Sequence, residues 1–380
     1  MRFLPLLSPL ADYEAQAEKL LALHAAGDPG ALRIIHERHP RFLDDEVKWL
    51  PKRILREEIL AAPFDLDDAR LTVARGYCFL DWESLAAHVA EVLREGSPVR
   101  EFERAAEAVI DGDADSLRAA LACDPDLVRA RSTRVTRFDP PVHRATLLHY
   151  LAANGVENYR QRSPRNAPEI ARLLLERGAE PDALASMYGG ECTTLSMLAS
   201  STPAAEAGVQ IALIDTLVDF GAAVESCGSG NWHSPLLTAL VFGFRDAADA
   251  LVRRGARVAT LDAAAGLGRA AEVERMLASA SPEERHRALA LAAQLGHVEI
   301  VRLLLAAGET PDRFNPEGRH AHATPLHHAA GGGHLDVVRL LVERGARLDI
   351  EDRLWRATPL GWAEHSGHGD VARFLAGQTR

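Results

Sequence analysis

The chain has 380 residues and an apolar fraction of 47%, too long for one ordinary globular core and too apolar for a disordered chain. Its net charge of −11, from 43 basic and 54 acidic side chains, disfavours bulk nucleic-acid binding, which needs a basic field. No run approaches the ~18 apolar residues of a membrane span, and Cys78, Cys123, Cys192 and Cys227 are too scattered for a disulfide framework or a zinc ribbon.

Aromatic residues make up only 6% of the chain, with alanine and leucine abundant, which favours packed helices over sheets. The cysteine pattern suits reduced thiols, so a cytoplasmic location is expected. The opening MRFLPLLSPLADYE is short in apolar length, broken by proline and followed by acids, and no signal peptide is expected from it. Lys19, Lys48 and Lys52 are the lysines and every other basic side chain is arginine, so a single arginine is weaker evidence for a bidentate site than usual.

Residues 1–100 read as helices. KLLALHAAGDPGALRIIHERHP, from Lys19, gives a helix, a Gly-Asp turn and a second helix. RLTVARGYCFLDWESLAAHVAEVL, from Arg70, gives two helices joined by an aromatic turn at Tyr77, Phe79 and Trp82. DLDDAR at Asp65 reads as a cap or a solvated loop. This segment is expected to be a helical N-terminal extension that caps the open face of the array beginning near residue 101; a separate recognition module is the alternative.

From residue 101 to 380 one pattern recurs: a short helix, a glycine turn, a second helix and a connection. FERAAEAVIDGDADSLRAALACDPDLV from Phe102 is a poor copy. TLLHYLAANG from Thr146 rejoins the pattern at IARLLLERGAEPD, and TTLSMLAS from Thr193 rejoins it at IALIDTLVDFGAAV. SPLLTALVFGFRDAADALVRRGARV begins at Ser234, DAAAGLGRAAEVERMLA at Asp262 and RALALAAQLGHVEIVRLLLAAG at Arg287. TPLHHAAGGGHLDVVRLLVERGARLD from Thr324 is the clearest unit, and TPLGWAEHSGHGDVARFLAG from Thr358 follows it. In the clearest unit Pro325 fits the first helical position, Leu326, Ala329 and Ala330 line one face, and Val337, Val338, Leu341 and Val342 make the stripe of a second helix. Gly345 suits a left-handed stop. Two such helices cannot bury their faces alone, so copies must stack.

TPLHHAA, the Gly-His turn and the RLLVERGA ending resemble the ankyrin repeat family, and the arrangement is similar to bacterial ankyrin proteins with an N-terminal helical extension. The resemblance implies an all-α solenoid of about seven or eight helix pairs with a helical N-terminal cap. It implies protein–protein recognition on a concave face made by the first helices and the finger-like connections before them. It also implies structural, hydrogen-bonded roles for His149 and His327, and scaffold positions for His297, His334 and His368.

Departures from the repeat mark where function can be grafted. The candidate binding residues are Arg134, Arg137 and His143 before Thr146; Tyr188 and Cys192 before Thr193; and Trp232 and His233 before Ser234. Further along they are Arg319 and His320 before Thr324, and Arg353 and Trp355 before Thr358. An insertion at 155–168 adds Tyr159, Arg160, Arg162 and Arg165, which are expected to face a partner; a second insertion spans 201–208. Arginine forks beside Tyr and Trp suit partner carboxylates or other anions. The leading expectation is a protein scaffold. A pocket for a small anionic ligand formed by residues 131–165, 188–192 and 232–233 is the first alternative, and an enzyme using that pocket, with Cys192 beside His143 and His233, is the second. His320, His322 and His328 lack the spacing of a metal set, so no metal and no cofactor are expected. A monomer, with no nucleic acid and no membrane partner, completes the reading.

Overall fold

A computed structural model of the chain describes residues 2–225, 228–230 and 234–378. Cys227, Trp232 and His233 lie outside the described residues. Contacts divide the chain into two compact units, residues 1–233 and 234–380.

The N-terminal unit begins with five helices, Leu10–Ala25, Pro29–Arg38, Arg56–Ala61, Leu66–Gly76 and Trp82–Leu93. Aspartates start three of them: Asp28, Asp65 and Asp81 accept hydrogen bonds from the backbone N–H groups of Ala31, Asp68 and Ser84. DLDDAR is therefore a cap. Tyr13, Leu20, Leu32, Ile35, Val73, Tyr77, Phe79 and Leu85 form one buried core. The aromatic turn after Gly76 does more than join two helices. Its Leu80 N–H donates to the Val135 carbonyl at 3.2 Å, and the Arg137 N–H donates to the Cys78 carbonyl at 3.2 Å, pinning the extension to the connection at 131–145.

Three helix pairs follow in this unit: Pro98–Asp111 with Ala114–Cys123, Leu147–Tyr150 with Ala167–Glu176, and Thr194–Leu198 with Gln210–Asp219. The insertion at 201–208 forms one extra helix, Thr202–Glu206. The connection before Thr193 folds as a small antiparallel hairpin, Ala185–Met187 with Gly190–Cys192, paired Ala185 to Cys192.

The C-terminal unit holds five pairs: Pro235–Val241 with Arg245–Arg253, Leu261–Gly266 with Ala270–Leu277, Pro282–Gln294 with Val298–Ala306, Pro325–Gly331 with Leu335–Glu343, and Pro359–His365 with Gly369–Gln378. Its core runs from Leu261 through Leu289, Ile300, Leu304, Leu326, Val338 and Leu341 to Val371 and Leu375. Fully burying each such side chain contributes about 1.5–3 kcal/mol. Among the described residues the helix pairs of both units give an all-α repeat architecture, with one hairpin, Ala185–Cys192.

Two histidine positions explain why the repeat keeps its motif. In the TPLH position, Thr324 N–H reaches His327 Nδ1 at 3.2 Å, so Nε2 carries the proton and donates to the Ala357 carbonyl of the next connection at 3.1 Å. His149 repeats this with Thr146 and the Cys192 carbonyl. In the Gly-His turn, His297 Nε2 meets the Gly266 carbonyl and His334 Nε2 meets the Gln294 carbonyl, both at 2.9 Å. Each histidine thus reaches the helix end of the repeat before it.

The turn glycine is obligatory for two reasons. Gly296 has φ +77°, and a Cβ there would come within 2.6 Å of the His334 ring. Gly296→Ala is expected to lower stability by about 1–2 kcal/mol from the backbone alone, with the displaced His334 bond adding to it, read as a reduced urea midpoint.

Candidate functional site

In the N-terminal unit the structure gathers Arg134, His143, Tyr159 and Arg160 into one buried ion network. The insertion turns back into the protein through a short 3-10 turn, Asn158–Arg160, which carries Tyr159 and Arg160 inward. Arg160 Nη1 sits 2.7 Å from Glu103 Oε2 and 2.9 Å from Glu157 Oε2. Arg134 approaches the same two carboxylates at 3.2 and 3.4 Å. His143 accepts from the Ala145 N–H at Nδ1, so its Nε2–H donates to Glu157 Oε1 at 2.9 Å. Tyr150 donates to that oxygen at 2.8 Å, and Arg134 donates to the Tyr159 hydroxyl at 2.8 Å. The guanidiniums also lie over rings, Arg134 over Phe79 at 4.8 Å and Arg160 over Tyr150 at 5.1 Å.

Two Arg and two Glu balance here. Burial alone pushes the Glu103 and Glu157 carboxyls up, but Arg134 and Arg160 outweigh it and hold both below the usual carboxylate range. His88, 3.5 Å from Glu103, is pushed down to about 4 by burial and by Arg134. His149 is likewise pushed down to about 4, by burial first.

This corrects one expectation. Arg160 is only 4% exposed and does not face a partner; it neutralises two carboxylates that belong to no motif. A signal for one of them exists in the sequence. Glu103 lies on the stripe with Ala106 and Ile110, an acid on an apolar helix face, and such an acid requires a buried cation. Arg162 and Arg165 from the same insertion are exposed, with Arg162 paired to Asp111 at 2.7 Å. Arg137 lies 4.9 Å over Phe138, whose ring meets exposed Tyr188 edge-on at 6.3 Å.

Cys192 is fully buried and its thiol donates to the Ala185 carbonyl at 3.3 Å, a hairpin contact. Burial pushes the thiol up to about 12, the opposite of an activated nucleophile, and His143 is engaged by Glu157. The space bounded by His143, Tyr150, Glu157, Arg160, Met187 and Met197 measures about 30 Å³, room for a water rather than a metabolite.

In the C-terminal unit the connections at 312–323 and 349–357 bring a second group together. His320, His322 and Trp355 come from connections, and His328 and Trp362 from first helices. His322 lies 5.0 Å from Trp355 and 5.9 Å from Trp362 between ring centroids. His328 lies 5.0 Å from His320 and 5.1 Å from Trp362. Asp352 fixes this arrangement by accepting from Trp362 Nε1 at 3.0 Å and from the N–H groups of Leu354, Trp355 and Ala357. His320 is tied to the Val241 carbonyl, but Nε2 of His322 and Nε2 of His328 are buried without a hydrogen-bond partner. Trp355 is 47% exposed beside them. Arg353 stacks 4.1 Å over Phe314, while Arg319 is engaged by Asp262 at 2.6 Å. Next to this group a groove of about 520 Å³ runs along the first-helix ends, bordered by Arg245, Gln294, His328, Gly332 and Trp362. Among the described residues no group of three or more His, Cys, Asp or Glu is placed to hold a metal ion, and no helix is long and apolar enough to cross a membrane.

Stacked helix pairs, glycine turns reached by the next histidine, and a connection before each first helix define a helical repeat architecture. The family model for ankyrin repeats (3 copies) matches residues 261–352 and 289–379. Residues 261–379 therefore match ankyrin repeats. Among solved structures, the crystal structure of human ASB11 ankyrin repeat domain is similar at 19% identity and a TM-score of 0.37, covering 71% of this chain and 96% of that one. At that score the likeness bears on neither binding nor detail of fold.

The two arginines of the insertion are expected to behave oppositely. Arg160→Ala leaves Glu103 and Glu157 under-compensated in the interior and should cost about 3–5 kcal/mol in chemical denaturation. Arg162→Ala, more than half exposed, should cost less than about 1 kcal/mol.

The lowered histidines set a pH dependence. The unfolded chain takes up their protons near pH 6.5, while folded His88 and His149 resist until about 4. The unfolded state therefore binds more protons in that window, and stability is full above about 6.5 and lost as pH falls towards 4. Denaturation midpoints at pH 7.5 and 5.5 should differ in that direction, and a flat profile would falsify the assignment.

Proposed function

We propose that the chain recognises a protein partner on the connection and first-helix side of its C-terminal repeats, centred on Trp355, Trp362, His322 and His328. Ankyrin repeats are in general protein–protein interaction modules; the face and the partner are our reading. The observation that carries it is the pair of unpartnered imidazole nitrogens on His322 and His328 beside a half-exposed tryptophan. A buried polar atom without a hydrogen bond costs about 1–3 kcal/mol, and a bound polypeptide would supply the missing bond. An aromatic anchor next to a desolvated polar group is the make-up of an interface hot spot. The adjoining groove would take further side chains of the same partner.

Residues 1–100 are read as a cap on the first repeat of the array at 101–380, supported by the backbone bonds of Leu80 and Arg137 and by the His88–Glu103 contact. Arg353 and His320 belong to the recognition face on this reading, whereas Arg134, His143, Tyr159 and Arg160 lie in the N-terminal unit and outside that face.

The test uses the full chain to capture its partner and then compares dissociation constants. Trp355→Ala should weaken capture at least tenfold with the circular dichroism spectrum unchanged. Arg302→Ala, an exposed change on a second helix, should leave it unaltered. Equal affinity of Trp355→Ala and the parent would remove this face from consideration.

A further inference from the structure

We infer that the N-terminal unit carries a binding site for a small aromatic anion, closed by residues 2–6 acting as a strap. It lies in a different unit from the recognition face and stands independently of it. Beneath the strap is a cavity of about 500 Å³, within the roughly 300–1,000 Å³ of small-molecule sites.

One wall is aromatic. Tyr13 and Tyr77 meet edge-on at 5.0 Å, Tyr77 and Tyr159 at 5.4 Å, and Phe79 extends the surface. What this wall takes is visible in the structure. The Phe3 ring of the strap rests 5.2 Å from Tyr77 and 5.0 Å from Tyr159, leaving the cavity beyond it open. The strap is tied by Leu4 N–H donating to the Tyr77 hydroxyl at 2.8 Å and by Gln16 Nε2 donating to the Arg2 carbonyl at 2.9 Å. Both ties can be released without disturbing a helix.

The other wall is lined by guanidiniums whose charge is offset by neighbouring carboxylates, with Glu107 2.9 Å from Arg160 and Asp111 2.7 Å from Arg162. Arg2, Arg134, Arg160 and Arg162 border the cavity, against Glu107 as the one carboxylate among its lining residues. Glu103 and Glu157, which neutralise Arg134 and Arg160, are not part of the lining. Arg134 and Arg160 are more than nine-tenths buried, and the Nε–H of each donates no hydrogen bond; the nearest carboxylate oxygen to Arg134 Nε is Glu157 Oε2, at 3.4 Å and poorly aligned. Buried donors of this kind call for an acceptor. Rings on one side and spare guanidinium donors on the other select a ligand that joins an aromatic ring to a carboxylate or sulfonate. A neutral ring would use only half of the site.

The test is a fluorescence titration of the intact chain with 8-anilinonaphthalene-1-sulfonate and with its uncharged counterpart N-phenyl-1-naphthylamine. The anionic dye should bind saturably at one site per chain, at least tenfold more tightly than the neutral one. Arg162→Ala, an exposed position, should weaken the anionic dye several-fold and leave the neutral dye unchanged. Val89→Phe fills the cavity and should abolish the site in a protein whose circular dichroism is unaltered. Should that variant fail to fold, Phe3→Ala serves instead: removing the plug should raise the association rate of the anionic dye. Equal affinity for the two dyes, no saturable binding, full binding by folded Val89→Phe, or an unchanged association rate in Phe3→Ala would each overturn the proposal.

Discussion

A helix of seven residues followed by one of nine cannot bury its own apolar face, and every feature of the array follows from that shortfall. The stack supplies the missing burial, but apolar contact alone does not set register. Register comes from histidine. His327 spans from its own Thr324 to the Ala357 carbonyl of the next connection, and His334 spans back to Gln294. Each imidazole uses directional bonds to fix one repeat against another. Positive φ and a bare Cα at the turn glycine are what leave room for the ring.

The scaffold was legible in the sequence because it is local and repeated. The glycine turns and 3.6-residue stripes recur along the chain, so helix pairs could be placed from residues, while the structural roles of the histidines followed from the family resemblance. The helices of the first hundred residues were legible from their local apolar stripes, and Asp65, left open between a cap and a solvated loop, is a cap. The insertion at 155–168 was not. Tyr159, Arg160 and Glu157 look like a solvated loop in one dimension, and their fate depends on Glu103, more than fifty positions away on another helix. Charge pairing across such distances leaves no periodic trace. The acid on the stripe at Glu103 was the one local hint, because a carboxylate on a buried face implies a cation to meet it.

The arginines accordingly separate into kinds that composition could not distinguish. Arg134 and Arg160 are buried and paired with Glu103 and Glu157, so they hold the connection at 131–145 and the insertion to the helix Pro98–Asp111. Arg162 and Arg165 sit on the same loop but in solvent, where pairing is worth little. Arg319 is committed to Asp262, whereas Arg353 rests on a ring and remains at the surface. Burial and partner, not residue type, decide the role of each.

The histidines sort by the same rule, and more sharply. His149, His327, His297 and His334 each bond to a backbone carbonyl of a neighbouring repeat, and a satisfied ring nitrogen has nothing left to offer a partner. His322 and His328 occupy the same stretch of the array yet keep a buried nitrogen without a bond. Protonation does not relieve them, because burial and the crowding of His320, His322 and His327 hold the His328 ring well below its ordinary pKa and therefore neutral. A neutral imidazole with an unused nitrogen, fixed beside two tryptophans, is stabilised only by a hydrogen bond that comes from outside the repeat. Asn315 and Arg319 Nε on the preceding connection are also buried without a bond, and what sets His322 and His328 apart from them is the exposed Trp355 ring alongside.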